Sequence, residues 1–136
     1  MPAAPLESFA DLVRSALRQK EPHRLLFVFI RVDRPDGAPL PADGGTLSPI
    51  MYIDLPPAGE LDFATLTRDA DAQSPVWDWV MIGALSGTHG TPPTPARAEE
   101  VLQTMVRLIE AGGDLSPFVI LDRAERPVRL SPAEPV

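Results

Sequence analysis

The stretch RLLFVFIRV, residues 24–32, decides the fold, because it contains the longest unbroken apolar run of the chain, residues 25–30. Its side chains are mostly β-branched, aromatic or leucine. A surface helix this short would have one apolar and one polar face, so polar residues would interrupt its sequence. A strand that is buried on both faces is apolar at every position. We therefore predict a buried central β-strand here, with helices packed on the sheet that it organises.

Three helices are predicted around this strand. An apolar face at helical spacing predicts the first helix, which follows a weak capping box at Ser8 and ends near Lys20. Asp62 is placed to cap a shorter helix that runs to about Ala72. The third helix has the clearest boundaries, since Thr94 can cap it, Pro95 fits its first position, and residues 112–113 are glycines that stop it. The apolar face of the first helix comprises Phe9, Leu12, Val13, Ala16 and Leu17.

Four further segments are predicted as strands: IMYIDL (50–55), VWDWVMIGAL (76–85), residues 118–121 and residues 128–130. The last two flank the turn DRAERP and should form a hairpin. Residues 33–49 lie between the first two strands and carry the turn-forming segments PDG and ADGG. A loop of this length is unusual, so it is either functional, mobile or an elaborated hairpin.

The order α-β-β-α-β-α-β-β predicts an α/β (mixed α+β) fold with one five-stranded mixed sheet and three helices packed on it. Strand–helix–strand units are normally right-handed parallel crossovers, so the second, third and fourth strands should run parallel. The first and last pairs of strands should be antiparallel. We expect a single domain over 1–136, with loose ends at 1–7 and 131–136.

Composition and charge exclude several classes of protein. The 136 residues contain 12 basic and 19 acidic side chains, for a net charge of −7. The scattered basic residues argue against a nucleic-acid binder, which gains affinity by neutralising phosphates. The absence of cysteine excludes disulfides, thiolate metal sites and cysteine nucleophiles. The N-terminal stretch has no basic region before its apolar residues, and no apolar run approaches the roughly 20 residues of a membrane span. We expect a cytoplasmic protein without membrane contact.

If the second, third and fourth strands are parallel, their carboxyl ends share one edge of the sheet, where ligands of open α/β sheets bind. The low-ranked candidates for ligand binding at that edge are Asp54, Ser86, His89, Arg97 and Asp122. They allow three readings: an oxygen-rich Mg²⁺ or Mn²⁺ site, an anion-binding loop at 86–90, or a serine nucleophile with a histidine base. Each has a plainer alternative, since aspartates after strands start turns and cap helices, and a glycine-containing loop is usually a simple turn. We therefore assign no catalytic residue, no metal and no cofactor.

The aromatic residues Trp77, Trp79 and Tyr52 are predicted to lie in the core. Asp78, between the two tryptophans, is either a desolvated carboxylate or a residue that lies at the solvent end of its strand or pairs with an arginine, for which Arg24 and Arg31 are available.

The segments LLFVF (25–29), WDWVMIGALSG (77–87) and DRAERPVRL (122–130) resemble a family of short, uncharacterised proteobacterial proteins. Some members carry the label "ribonucleotide reductase subunit alpha". That label implies radical chemistry on ribonucleotides, which needs redox-active cysteines and a large catalytic barrel. This chain has neither the cysteines nor the length, so the resemblance implies no catalytic residues here.

We therefore expect a non-enzymatic protein-interaction or regulatory module that acts through a sheet edge or a helix face, on a protein partner or on a second copy of itself. The alternative is a binding protein or an enzyme that takes up a small ligand, an anion or a divalent metal at the carboxyl edge of the sheet.

Overall fold

The computed structural model describes residues 9–19, 22–33, 46–56 and 61–128. The helices are α1 (Phe9–Leu17), α2 (Phe63–Gln73) and α3 (Pro95–Glu110), and the strands are β1 (His23–Asp33), β2 (Thr46–Leu55), β3 (Trp79–Ser86) and β4 (Val119–Asp122). The predicted loose ends, the capping Ser8 and most of the predicted loop 33–49 lie outside the described residues. The strands β1 and β2 extend into both sides of that loop, so its flanks form a hairpin.

The four strands form one antiparallel sheet in the order β2-β1-β3-β4. The prediction of a central strand at 24–32 is confirmed, since β1 lies between β2 and β3. The predicted antiparallel pairing of the first two strands is also confirmed. Because β2 and β3 both run opposite to β1, they share one direction although they are not neighbours.

The prediction that β4 runs parallel to β3 is wrong, because the two strands are antiparallel. The connection between α3 and β4 explains the difference. It carries the apolar residues Leu115 and Phe118, which pack on the sheet. Phe118 lies so close to Gly83 that a Cβ atom there would be 3.3 Å from its ring. The chain therefore enters β4 partway along β3 and runs towards Trp79, instead of starting beside the beginning of β3.

The predicted fifth strand is not confirmed. Beside β4 the described chain returns as a single bridge between Leu121 and Pro127, flanked by hydrogen bonds from the Asp122 amide to the Arg126 carbonyl at 2.9 Å and from the Val128 amide to the Ile120 carbonyl at 2.8 Å. Pro127 fits this position because the nitrogen of a residue in a pair flanked in this way points away from the neighbouring strand, so no N–H group is needed. Residues 129–130 lie outside the described part of the chain.

The sheet is covered on both faces, as the continuous apolar run of β1 predicts. Alternate residues of β1 point to opposite faces. One set packs under α1 and α2, and the other packs under α3. The first set is Leu25, Phe27 and Phe29; the second is Leu26, Val28, Ile30 and Val32. Trp77 and Trp79 are 1% and 4% exposed, which confirms their predicted place in the core.

Asp78 is half-buried between these tryptophans and extends the ladder of β1. Its amide donates to the Ile30 carbonyl at 2.7 Å, and its carboxylate accepts the Val32 amide at 2.8 Å. A side chain thus replaces a strand partner at the end of β1. Asp78 therefore has a structural role at this end of the sheet, directly before the first residue of β3.

Arg123 ties the turn after β4 to α2. Its guanidinium lies 4.1 Å from the centre of the Trp77 ring, and it donates to the Asp71 carboxylate at 2.8 Å and to the Pro75 carbonyl at 2.7 Å. The Trp77 indole N–H also donates to Asp71, at 2.9 Å. The hydrogen bond from Arg123 has the largest effect on the pKa of Asp71, and together with the bond from Trp77 it holds that pKa below its usual range.

The lowered pKa of Asp71 predicts a pH-dependent contribution to stability. A carboxyl group whose pKa is lower in the folded state stabilises the fold above its unfolded pKa, 3.8, and loses that contribution as the pH falls through the folded value. The difference in stability between the native protein and Asp71→Asn should therefore shrink between pH 6 and pH 3 in urea titrations. Asp69→Asn, an exposed position on the same helix, is the control and should show no comparable change. An Asp71→Asn difference that stays constant with pH would contradict the assignment.

Candidate functional site

The carboxyl ends of β2 and β3 meet at one end of the sheet, as predicted, because those strands share one direction. We call this the Ser86 end. Asp54 lies there, half-buried, and accepts a hydrogen bond from Arg24 on the neighbouring strand. Ser86 is directly across from His23, and its hydroxyl donates to the Gly87 carbonyl at 3.0 Å.

Asp122 does not join them, which corrects the expectation of one shared edge. It pairs with Trp79, at the other end of β3, because β4 is antiparallel. Three strand spacings across the sheet and four residues along it separate Asp122 from Asp54, about 20 Å in all. The carboxylate of Asp122 instead accepts the amides of Ala124 at 2.8 Å and Arg126 at 2.9 Å. This is the turn-capping role that was the plainer alternative.

The loop after β3 forms a tight hairpin. Thr88 and Thr91 exchange both backbone hydrogen bonds, at 3.0 and 2.8 Å, and the Gly87 amide donates to the Pro22 carbonyl at 2.7 Å. The amides of Gly87, Thr88 and Thr91 therefore donate to backbone carbonyls of the protein. They are not available to bind an anion in this loop. The geometry favours the plain turn over the anion-binding loop.

His89 occupies the tip of this hairpin with a φ of 51°, followed by Gly90 with a φ of 74°. Two consecutive positive φ values define a type I′ turn, whose first central position favours asparagine, aspartate or glycine. His89→Asn should therefore raise the free energy of unfolding, because asparagine is favoured over histidine at this turn position. Chemical denaturation would measure the gain, and His89→Val, which tolerates positive φ poorly, should lower stability. Equal stabilities of all three proteins would refute this account.

Arg97 lies in the first turn of α3, where its amide donates to the Thr94 hydroxyl at 3.1 Å. This bond confirms the predicted cap, and Pro95 follows at the first helical position. The guanidinium of Arg97 is exposed and pairs with Glu100 on the same helix at 3.2 Å. Its described ion pair thus points along the helix rather than into a site with Asp54 or Ser86.

Metal and ligand chemistry find little support in the described part of the chain. No group of three or more His, Asp or Glu side chains among those residues lies close enough together to hold a metal ion. A half-open groove of about 210 Å³ lies between α1 and β3, with Leu25, Ile82 and Val119 among its lining residues and Gln19 and His23 at its polar positions. Small-molecule sites are typically larger, about 300–1,000 Å³.

The two edges of the sheet differ in how they are covered. Beside β4 the returning residues 127–128 take up part of the edge. Beside β2 no other strand of the described residues pairs, so its ten residues have a strand partner on one side only in this part of the chain. Its first half is interrupted by Pro49 and by a bulge opposite Phe29–Ile30, two features that blunt strand edges. Residues 51–55 pair regularly with β1, and we call their outer side the open edge.

Two large side chains of the open edge are exposed: Tyr52 by 39% and Ile53 by 45%. The prediction that Tyr52 lies in the core is therefore wrong. The continuous run IMYIDL indicates a strand but does not say whether that strand has one neighbour or two. Pro49 was the available signal, since a proline within a strand favours an edge position.

Tyr52 is the centre of a polar cluster with α3. Its hydroxyl donates to the Glu99 carboxylate at 2.8 Å and accepts from the Gln103 amide at 2.7 Å. The hydrogen bond to Glu99 raises the pKa of Tyr52 above 10, while the bonds from Gln103 and then Tyr52 lower the pKa of Glu99. The cluster orients the tyrosine ring beside the open edge and keeps Glu99 ionised.

Comparisons of the chain with protein-family models, with curated proteins and with solved structures find no match. Within the described residues, no helix is long and apolar enough to cross a membrane.

Proposed function

We propose that this chain is a non-enzymatic protein-interaction or regulatory module of a bacterial cytoplasm, and that it binds its partner by strand addition at the open edge. The observation that carries the proposal is the segment 51–55, which pairs regularly with β1 on one side, has no strand partner among the described residues on the other, and exposes Tyr52 and Ile53. Natural proteins usually blunt such an edge with charges, prolines, bulges or a covering segment. Here the proline and the bulge both come before Met51, and the one charged side chain of segment 51–55, Asp54, is paired with Arg24.

Strand addition uses what this edge offers. An unpaired strand presents backbone N–H and C=O groups in a row, which supply affinity, while exposed side chains on alternate faces supply specificity. Ile53 lies on the α1/α2 face of the sheet, and Tyr52 lies on the α3 face, as their partners Phe27 and Val28 show. A partner strand would therefore meet one apolar and one aromatic contact, on opposite faces.

The charge of the open edge also suits protein binding. The chain has a net charge of −7, but residues 46–55 contain one ionisable acid, Asp54, and Arg24 neutralises it. Few charges would therefore have to be removed from water when a strand docks there, and an unpaired charge is costly to bury.

A photo-crosslinking amino acid placed in living cells tests the proposal. Placed at position 53, it should form a covalent adduct with a protein on illumination, and mass spectrometry would identify the partner and its crosslinked segment. Placed at position 76, where valine is 51% exposed in a turn outside the sheet, it should form none. Equal labelling at the two positions, or no adduct at 53, would overturn the proposal.

A further inference from the structure

The open edge has a sequence that can pair with itself. In an antiparallel pair of β2 strands related by a two-fold axis perpendicular to the sheet, the faces of the two sheets stay aligned. With the axis at Ile53, that residue lies opposite its own copy, Met51 lies opposite Leu55, and Tyr52 lies opposite Asp54. The apolar pairs then fall on the α1/α2 face, and the Tyr52–Asp54 pairs fall on the α3 face.

From this register we infer that the partner at the open edge is a second copy of this chain, paired through residues 51–55 to make a continuous eight-stranded sheet. The inference rests on the proposed function and names its partner.

The register opposes no carboxylate to another carboxylate within the strand. Asp54 faces Tyr52 of the other copy and keeps its ion pair with Arg24, which lies on β1 of the same copy. Cross-strand pairs of aromatic or apolar side chains stabilise a sheet, whereas like charges directly opposite destabilise it. The ladder itself is thus compatible with self-association.

Glu99 is a nearby charge that opposes self-association through the open edge. Its carboxylate is bonded to Tyr52, so α3 places it beside the open edge in each copy. Together with the net charge of −7 per chain, these carboxylates repel a second copy. Salt screens such repulsion, so this dimer should become tighter as ionic strength rises. A basic partner strand would show the opposite salt dependence, which separates the two occupants experimentally.

Sedimentation equilibrium of the whole chain at about 1–200 μM would measure the association, since a short edge-to-edge interface belongs to the weak class of contacts. We expect a monomer–dimer equilibrium whose dissociation constant falls between 50 and 500 mM NaCl. Ile53→Lys and Ile53→Glu should each raise that constant about tenfold or more, since each puts two like charges at the axis.

An equimolar mixture of the Ile53→Lys and Ile53→Glu variants should restore association to within a few-fold of the native protein. This rescue is expected because the register puts residue 53 opposite its own copy, so that the mixture pairs a lysine with a glutamate at the axis. The matched controls Val76→Lys and Val76→Glu should dimerise like the native protein, alone and mixed. Circular dichroism and thermal melting would verify that all variants are folded.

The possible outcomes distinguish a failure of the dimer inference from a failure of the proposed function. A strict monomer at 200 μM in 500 mM NaCl, or a dimer that the Ile53 variants leave unchanged, overturns the inference. If position 53 nevertheless crosslinks to a different protein in cells, the open edge is a docking site for that protein and only the second copy is wrong. A dimer with no rescue in the mixture rejects the register centred on Ile53.

Discussion

Replacing Trp77 with alanine is expected to lower the free energy of unfolding by about 3–5 kcal/mol, the range for removing a fully buried aromatic side chain. Trp77 is 1% exposed and contacts Phe29 edge to face, with ring centres 5.2 Å apart. It also holds Arg123 on one face and Asp71 at its indole nitrogen. Its removal leaves a cavity and two polar groups with fewer partners.

Thermal melting would measure this loss as a fall of about 10–15 °C in Tm for a chain of this length. Trp77→Phe should lie between the alanine variant and the native protein, because it keeps an aromatic ring against Phe29 but loses the bond to Asp71. Val76→Ala, at the exposed neighbouring position, should change Tm by no more than about 2 °C. If Trp77→Ala melted within 2 °C of the native protein, the core on the α1/α2 face would be wrongly assigned.

The second large effect is expected at Gly87, where the backbone leaves no room for a side chain. A Cβ atom there would lie 2.0 Å from the Thr91 carbonyl oxygen and 2.9 Å from that of Pro22. Both obstacles are backbone atoms, and both belong to residues that bond to this loop. Gly87→Ala should therefore force the hairpin at 88–91 away from the chain before β1, at a loss of about 3 kcal/mol, the upper part of the usual range for overpacking.

Gly83→Ala is the matched comparison on the same strand. There the nearest atoms are 3.3 Å away in the Phe118 ring and 3.4 Å away in the flexible Met105 side chain. The neighbours can yield by a few tenths of an ångström, so the change in stability should stay within about 1 kcal/mol. Urea titration of the two variants would rank them. A Gly83→Ala variant that is less stable than Gly87→Ala would contradict this description of the loop.

Candidate site residues were predictable only where a local rule places them. The caps at Asp62 and Thr94 and the turn role of Asp122 follow from short-range hydrogen bonding, and the structure contains all three. The gathering of Asp54 with Asp122 depended on the direction of β4, which no local rule supplies. The open edge was missed because exposure of a strand depends on which strands lie beside it.

The sequence alone determined the elements of this fold and its central strand. An apolar run, a helical period, a capping residue or a turn is written into neighbouring residues, and so RLLFVFIRV, the three helices and the β1–β2 hairpin could be predicted. Only the tertiary structure decided strand order, the reversal of β4 and the open edge of β2. These features depend on contacts between residues far apart in the chain, such as Phe118 and Gly83. The free energy of such contacts cannot be predicted from the pattern of neighbouring residues.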